Sequence, residues 1–528
     1  MFTRKKSDTL PTSAPYGSRH TKSGISNAVV PDLLSPVQTL GERFASWVRR
    51  NKYIIIGVAI AATAIFFYVQ SKVYVQHDMA YSFIETFSFW AIADVHLAKD
   101  YKVGSDPSTF CTSGTGSSGR LGTYDCDIPG NGTLLTSALD FMLMRTRAGS
   151  YKTPTFMLYL GDSSTLYSEH PEGTETTEQI KENVVDVADM LTARFGRNVF
   201  PTLGNHDNHP STQWPLPPSP AYTSYMKWVA DVWGSRWLGE SAVKTVRKGG
   251  YYYADVLPTL RLISLNTMLL SIDGVGANNS DAAVDYAGQL GWLEKTIKNT
   301  PKTKKIIVFG HVPPYENVGA LKIMWTPYAI AQYKRILSLY GNRISAQIFG
   351  HLHKDTFLNM KFGEIKAPYA MVVPSLTPRS SSGEAATGGD CEGKNPAVRM
   401  YTLKYTTGEV IDYVQYYLNL TMANEDVSKN GNERRLRWRK EYSFVEKYDV
   451  NGTSVEDFDR VVDRLENDDK EFCGFARRMF AEQCLGKRVD KKFKSVLMCS
   501  LMNNVLDESA RYGYDSCVET ESDDVICQ

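Results

Sequence analysis

The chain has 528 residues, of which 42% are hydrophobic and 12% aromatic, with a formal net charge of +1. That length exceeds one compact domain, the composition excludes a chain disordered throughout, and the near-zero charge argues against a dedicated polyanion partner. None of the eight cysteines precedes Cys111 and none is spaced C-x-x-C, which fits disulfides in an oxidising compartment and excludes a zinc knuckle or a thioredoxin-like site.

Residues 1–52 carry nine Lys or Arg against three Asp or Glu and read as a disordered basic tail. Between Lys52 and Lys72 lie nineteen uncharged residues, long enough to span a bilayer as a helix. The run sits too far from the N-terminus for a signal peptide. Arg49, Arg50 and Lys52 on its N-terminal flank place that side in the cytosol, so residues 53–71 read as a type II signal anchor. The remainder is then lumenal or extracellular. The sequons at Asn131, Asn278, Asn419 and Asn451 lie on that side.

Residues 72–86 read as a stalk. Residues 101–127 are rich in Gly, Ser and Thr and read as a loop closed by a Cys111–Cys126 disulfide. Helices are expected over 136–147, 222–237 and 289–299, and 169–195 reads as a polar opening and then a helix. Paired strands are expected over 249–266, and a hairpin over 399–417 turning at Gly408. Beyond residue 423 charge, helical spacing and five cysteines point to a disulfide-bonded helical subdomain.

Five blocks concentrate the polar chemistry: Asp94-Val95-His96, Gly161-Asp162, Gly204-Asn205-His206-Asp207, Gly310-His311 and Gly350-His351-Leu352-His353. Four of them follow apolar runs that read as buried strands, over 87–93, 155–160, 306–309 and 345–349. Five of the nine histidines fall in these blocks. Ligands gathered from strand ends are how an α/β scaffold builds a site.

The order D-x-H, G-D, G-N-H-D, G-H, G-H-x-H resembles the calcineurin-like metallophosphoesterases over residues 87–420. The resemblance implies a four-layer α/β/β/α sandwich over 87–422, followed by the Cys-rich subdomain of 423–528. It implies two divalent metal ions, zinc first with manganese or iron as alternatives. Asp94, His96 and His353 would bind one ion, Asn205, His311 and His351 the other, and Asp162 would bridge them. Such a pair, about 3.5–4 Å apart, clamps phosphoryl oxygens and makes a hydroxide nucleophile at neutral pH. His206 is the expected acid for the leaving oxygen. Asp207 is expected to orient its ring or else to cap a turn. His170 and His209 are weaker candidates for substrate contact.

Stretches outside the metal blocks, among them Cys111, 122–129, 137–141, 287–293, 310–314 and 395–399, are similar to the acid sphingomyelinase-like phosphodiesterases. Two departures stand out. Residues 72–110 hold no cysteine, so no saposin-like lipid-presenting module precedes the catalytic region. Leu166 stands where that branch usually has a phosphate-contacting histidine. Thr165 stands where purple acid phosphatases place a tyrosine. The expected function is a membrane-anchored phosphodiesterase acting on a sphingomyelin-type head group or a nucleotide, with no nucleic-acid partner beyond such a substrate. The alternatives are a vacuolar or acidocalcisomal endopolyphosphatase and, from another class, a non-catalytic glycoprotein scaffold.

Overall fold

The computed structural model describes residues 40–54, 56, 58, 60–63, 65, 66, 85–124, 126–148, 156–165, 176–318, 321–362, 367–379, 393–431, 436–483, 489–506 and 525–527. The chain forms two compact units, Met1–Tyr81 and Ser82–Gln528.

In the first unit Leu40–Arg50 is a helix, so the end of the expected disordered tail of 1–52 is helical, and residues 1–39 of that tail lie outside the described residues. Phe44, Trp47 and Val48 recur at i, i+3 and i+4, and Glu42 and the Arg49–Arg50 pair complement the two ends of the helix dipole. The described residues from Lys52 to Phe66 are also helical, with Tyr53, Ile54, Ile60 and Phe66 exposed. Among the described residues no helix is long and apolar enough to cross a membrane. Several positions of the expected 53–71 anchor, and all but two of the expected 72–86 stalk, lie outside them.

The second unit is built on two six-stranded sheets. In the first, Thr86–Ile92 runs parallel to Met157–Tyr159, which runs parallel to Val199–Pro201. On the other flank Thr86–Ile92 pairs antiparallel with Ala397–Lys404, then Glu409–Tyr417, then Arg439–Ser443. In the second, Leu260–Ser264, Lys305–Phe309, Ile344–Phe349 and Ala370–Val372 run parallel, with Tyr252–Leu257 and Thr356–Leu358 antiparallel at the edges. Lys-Ile-Ile-Val-Phe at 305–309 shows why: such strands are covered on both faces and read as continuous apolar runs.

Hydrogen bonds stitch the two sheets together. Thr202 Oγ1 donates to Leu265 O at 2.8 Å, Tyr252 OH to Pro201 O at 2.9 Å and Arg399 Nη1 to Val372 O at 3.1 Å. The helix Thr133–Ala148 covers the outer face of the first sheet, where Trp90 Nε1 donates to Thr146 Oγ1 at 2.9 Å. The helix Pro327–Tyr340 covers the second through Tyr333 OH, which donates to Gln347 at 2.6 Å. Helices therefore flank a sheet pair.

Residues beyond 423 do not form helices alone. Arg439–Ser443 enters the first sheet before the helices Val455–Asn467, Asp469–Met479 and Lys491–Met502 begin. Phe458 on the first of these helices packs among Phe357, Tyr369 and Phe444, with ring centroids 4.9, 5.0 and 4.7 Å away. A Cys473–Cys527 disulfide ties this region, and Cys111–Cys126 closes the early loop.

Candidate metal centre

Every block of the site leaves the C-terminal end of a parallel strand. Asp94 and His96 follow Thr86–Ile92, Asp162 follows Met157–Tyr159, and Asn205 and His206 follow Val199–Pro201. His311 follows Lys305–Phe309, and His351 and His353 follow Ile344–Phe349. Strand ends from both sheets thus share one rim. The turns there are tight. Asp94, His96, Asp162, His351 and His353 have φ of 54°, 48°, 59°, 69° and 58°, in the left-handed region that costs a side-chain-bearing residue on the order of 1–3 kcal/mol. Two glycines let the loops meet: a Cβ on Gly204 would lie 2.0 Å from Asp162 Oδ1, and one on Gly161 would lie 2.5 Å from Gly204 N.

Asp94, His96 and His353 form one group of converging ligand atoms, and Asp162, His311 and His351 a second, each within 4.8 Å. Asn205 joins the second group, its Oδ1 2.9 Å from His311 Nε2 and 2.8 Å from His351 Nδ1. Asp162 Oδ2 lies between the groups, 3.1 Å from His311 Nε2 and 3.5 Å from His96 Nε2. The seven residues named from the sequence are therefore brought together.

Three backbone carbonyls fix the rings. His96 Nδ1 donates to Ser164 O at 2.7 Å, His311 Nδ1 to Leu160 O at 2.6 Å and His353 Nδ1 to Arg379 O at 2.8 Å. With the proton on Nδ1, the Nε2 atoms of His96 and His353 carry lone pairs toward the centre. His96 Nε2 and His353 Nε2 then face each other at 3.2 Å, lone pair to lone pair, with carboxylate oxygens close by. Such a convergence of acceptors is repulsive unless positive charge sits among them, so the donor set fits a pair of cations.

The charge balance agrees. Burial holds the imidazoles of His96 and His351 well below their usual range, which keeps them neutral and able to ligate. Burial also works against a charged His311, but the Asp162 carboxylate beside it outweighs burial and raises that ring to about 9. Burial pushes the Asp162 carboxyl upward, yet the surrounding histidines, His311 foremost, hold it well below the usual carboxylate range. An imidazolium at His311 supplies the positive charge the carboxylates demand, and cation binding would displace its proton.

His206 sits at the rim, its ring centroid 5.2 Å from that of His96 and its backbone N–H donating to Asp162 Oδ1 at 2.8 Å. Its ring is not held by Asp207, contrary to the first of the two expectations for that carboxylate. Asp207 Oδ1 accepts from Ser163 N at 2.7 Å, and Oδ2 accepts from Gly204 N at 2.8 Å and Asp162 N at 3.1 Å. Asp207 is a loop-organising residue, because its carboxylate accepts backbone N–H groups from both the Gly161 and the Gly204 turns. The His206 Nδ1 partner is Ser211 Oγ, at 2.8 Å. Sequence reasoning missed Ser211, since nothing in a lone serine five residues on marks it.

His209 is half-buried on the same loop, its Nδ1 has no hydrogen-bond partner among the described residues, and it is not brought into the ligand cluster. His170 lies outside the described residues. Lys394 was also missed. It is buried within reach of the Asp94 charge, and its ammonium donates to the carbonyls of Ser375 and Asn395. Burial lowers its pKa to about 7. Of the four sequons, Asn131, Asn278 and Asn451 are exposed, while Asn419 is half-buried and caps the helix Leu420–Asn430.

Residues 87–355 match the model of the calcineurin-like phosphoesterases, and residues 370–524 match that of the acid sphingomyelin phosphodiesterase C-terminal region. The chain is 31% identical to the mouse cyclic GMP-AMP phosphodiesterase SMPDL3A over 446 residues, covering 82% of this chain and 91% of that relative. It is 29% identical to the human acid sphingomyelinase-like phosphodiesterase 3b, covering 72% and 80%. With the sphingomyelin phosphodiesterase A of Dictyostelium discoideum it shares 26%, covering 81% and 67%. The chain belongs to the calcineurin-like phosphoesterases, in their acid sphingomyelinase-like branch, and is a dimetal phosphodiesterase.

Proposed function

We propose that the chain hydrolyses phosphodiesters of the nucleotide type at this centre, with Asp94, His96 and His353 on one ion, Asn205, His311 and His351 on the other, and Asp162 between them. The observation that carries the metal assignment is the opposed pair of Nε2 lone pairs on His96 and His353, 3.2 Å apart. Zinc suits the mixture of imidazole and oxygen ligands. Bound there, two divalent ions would neutralise the phosphoryl oxygens and acidify water. His206 then gives the leaving oxygen its proton, and Asp162 holds the His206 backbone in place through the N–H it accepts. A nucleotide substrate is favoured because the relative named for cyclic GMP-AMP aligns over 91% of its length. A sphingomyelin-type head group is the second reading, supported by the Dictyostelium relative's name.

The same reading places residues 53–71 as a membrane anchor with the second unit lumenal or extracellular. The uncharged run between Lys52 and Lys72 and the downstream disulfides support it. Glycans on Asn131, Asn278, Asn419 and Asn451 would mark that side.

The test is a panel of a cyclic dinucleotide, a nucleoside triphosphate, sphingomyelin and long-chain polyphosphate, assayed with the full chain before and after chelation. The expected result is cleavage of the nucleotide diester, lost on chelation, restored by zinc, and reduced at least about 100-fold by His206→Ala. Preferential polyphosphate cleavage, or a His206→Ala protein as active as wild type, would overturn the assignment.

A further inference from the structure

We infer that Ser211 is the positioning residue for His206, the part the neighbouring Asp207 does not take. The inference rests on the reading of His206 as proton donor and names what aims it. Ser211 is buried, 8% exposed, and its Oγ lies 2.8 Å from His206 Nδ1. The loop that carries it is closed by its own bonds: Thr212 N donates to Asn205 O at 2.9 Å, and Asn208 Nδ2 donates to Gln213 O at 3.1 Å. The serine is therefore held against the ring by backbone geometry. Both oxygens of Asp207 are meanwhile committed to backbone N–H groups of Asp162, Ser163 and Gly204.

A hydroxyl suits the task. Nδ1–H donates to Ser211 Oγ while the ring is an imidazolium, and it still does so after Nε2 has lost its proton, so one contact holds the ring through the reaction. In that step the oxygen of water forms a bond to phosphorus and the bond from phosphorus to the leaving oxygen breaks. The electron pair of the broken bond stays on the leaving oxygen, which takes the Nε2 proton. The proton lost by the water passes to solvent, and the product is a phosphomonoester.

A double-mutant cycle on two substrates tests this. In bis-p-nitrophenyl phosphate the phenolate leaves without a proton; in a dinucleoside phosphate the ribose oxygen does not. Ser211→Ala is expected to lower kcat on the dinucleoside phosphate about tenfold while changing kcat on the aryl ester by less than about twofold, and Ser211→Thr to restore it. In a His206→Ala background Ser211→Ala is expected to cost nothing more on either substrate. Equal losses on both substrates, or a further loss in the His206→Ala background, would overturn the role of Ser211 and leave His206 as the acid. A His206→Ala protein that cleaves both substrates at wild-type rates would overturn both.

Discussion

Asp207 accepts three buried N–H groups, from Ser163, Gly204 and Asp162, and so ties the Gly161 turn to the Gly204 turn. Burial, then the nearby Asp162 carboxylate, raises its own carboxyl to about 6. Asp207→Ala strands three donors at about 1–3 kcal/mol each, so denaturant unfolding is expected to show a loss of at least ~3 kcal/mol. Lost turnover with unchanged stability would return Asp207 to a purely chemical role. Lys394 makes a pH-dependent counterpart. Its folded pKa of about 7 lies below the ordinary lysine value of 10.5, so between those values the unfolded chain binds the extra proton. Wild type is therefore expected to gain stability relative to Lys394→Met as pH rises from 7 to 10, by up to about 1.4 kcal/mol per unit. A pH-independent difference between the two would contradict the depressed ammonium. The seven clustered side chains were legible in the sequence because their residue types and order are what a site for two cations would need. Ser211, Lys394 and the carbonyls of Leu160, Ser164 and Arg379 were not, since a hydroxyl, a lysine and the backbone carry no signature of where the fold will place them.

At the scale of elements, the parallel strands were readable because burial on both faces writes continuous apolar runs, as at 305–309 and 344–349. Val199–Pro201 was missed as a strand because three residues carry too little pattern, although it delivers Asn205 and His206. The region beyond residue 423 reads as helical from its charge and helical spacing. Yet Arg-Lys-Glu-Tyr-Ser at 439–443 pairs with Glu409–Tyr417, because an exposed edge strand tolerates charge. The pairing of Ala397–Lys404 with Thr86–Ile92 puts the two matched regions in one sheet, and Arg439–Ser443 extends it. A chain ending at residue 422 would bare the edge of Glu409–Tyr417 and the rings of Phe357 and Tyr369 that Phe458 covers. Such a chain is expected to aggregate on expression. A soluble, monomeric product that binds metal would contradict this dependence.

For the whole molecule, two sheets bring five parallel strand ends to one rim, and the positive-φ turns there store strain that only a bound ligand set would make useful. The sheets supply rigidity from both sides, with Asp94, His96, Asp162, Asn205 and His206 from the first and His311, His351 and His353 from the second. Separating or misaligning the sheets would therefore split both ligand groups. The most direct measurement is the metal content of the purified full chain by elemental mass spectrometry, taken on wild type and on Asp162→Ala alongside phosphodiesterase turnover. Two divalent ions per wild-type chain, falling to one or fewer in Asp162→Ala with turnover lost, is the expected result. A wild-type chain that cleaves phosphodiesters with no bound divalent ion, or an Asp162→Ala chain that keeps two ions and full turnover, would contradict a two-cation centre.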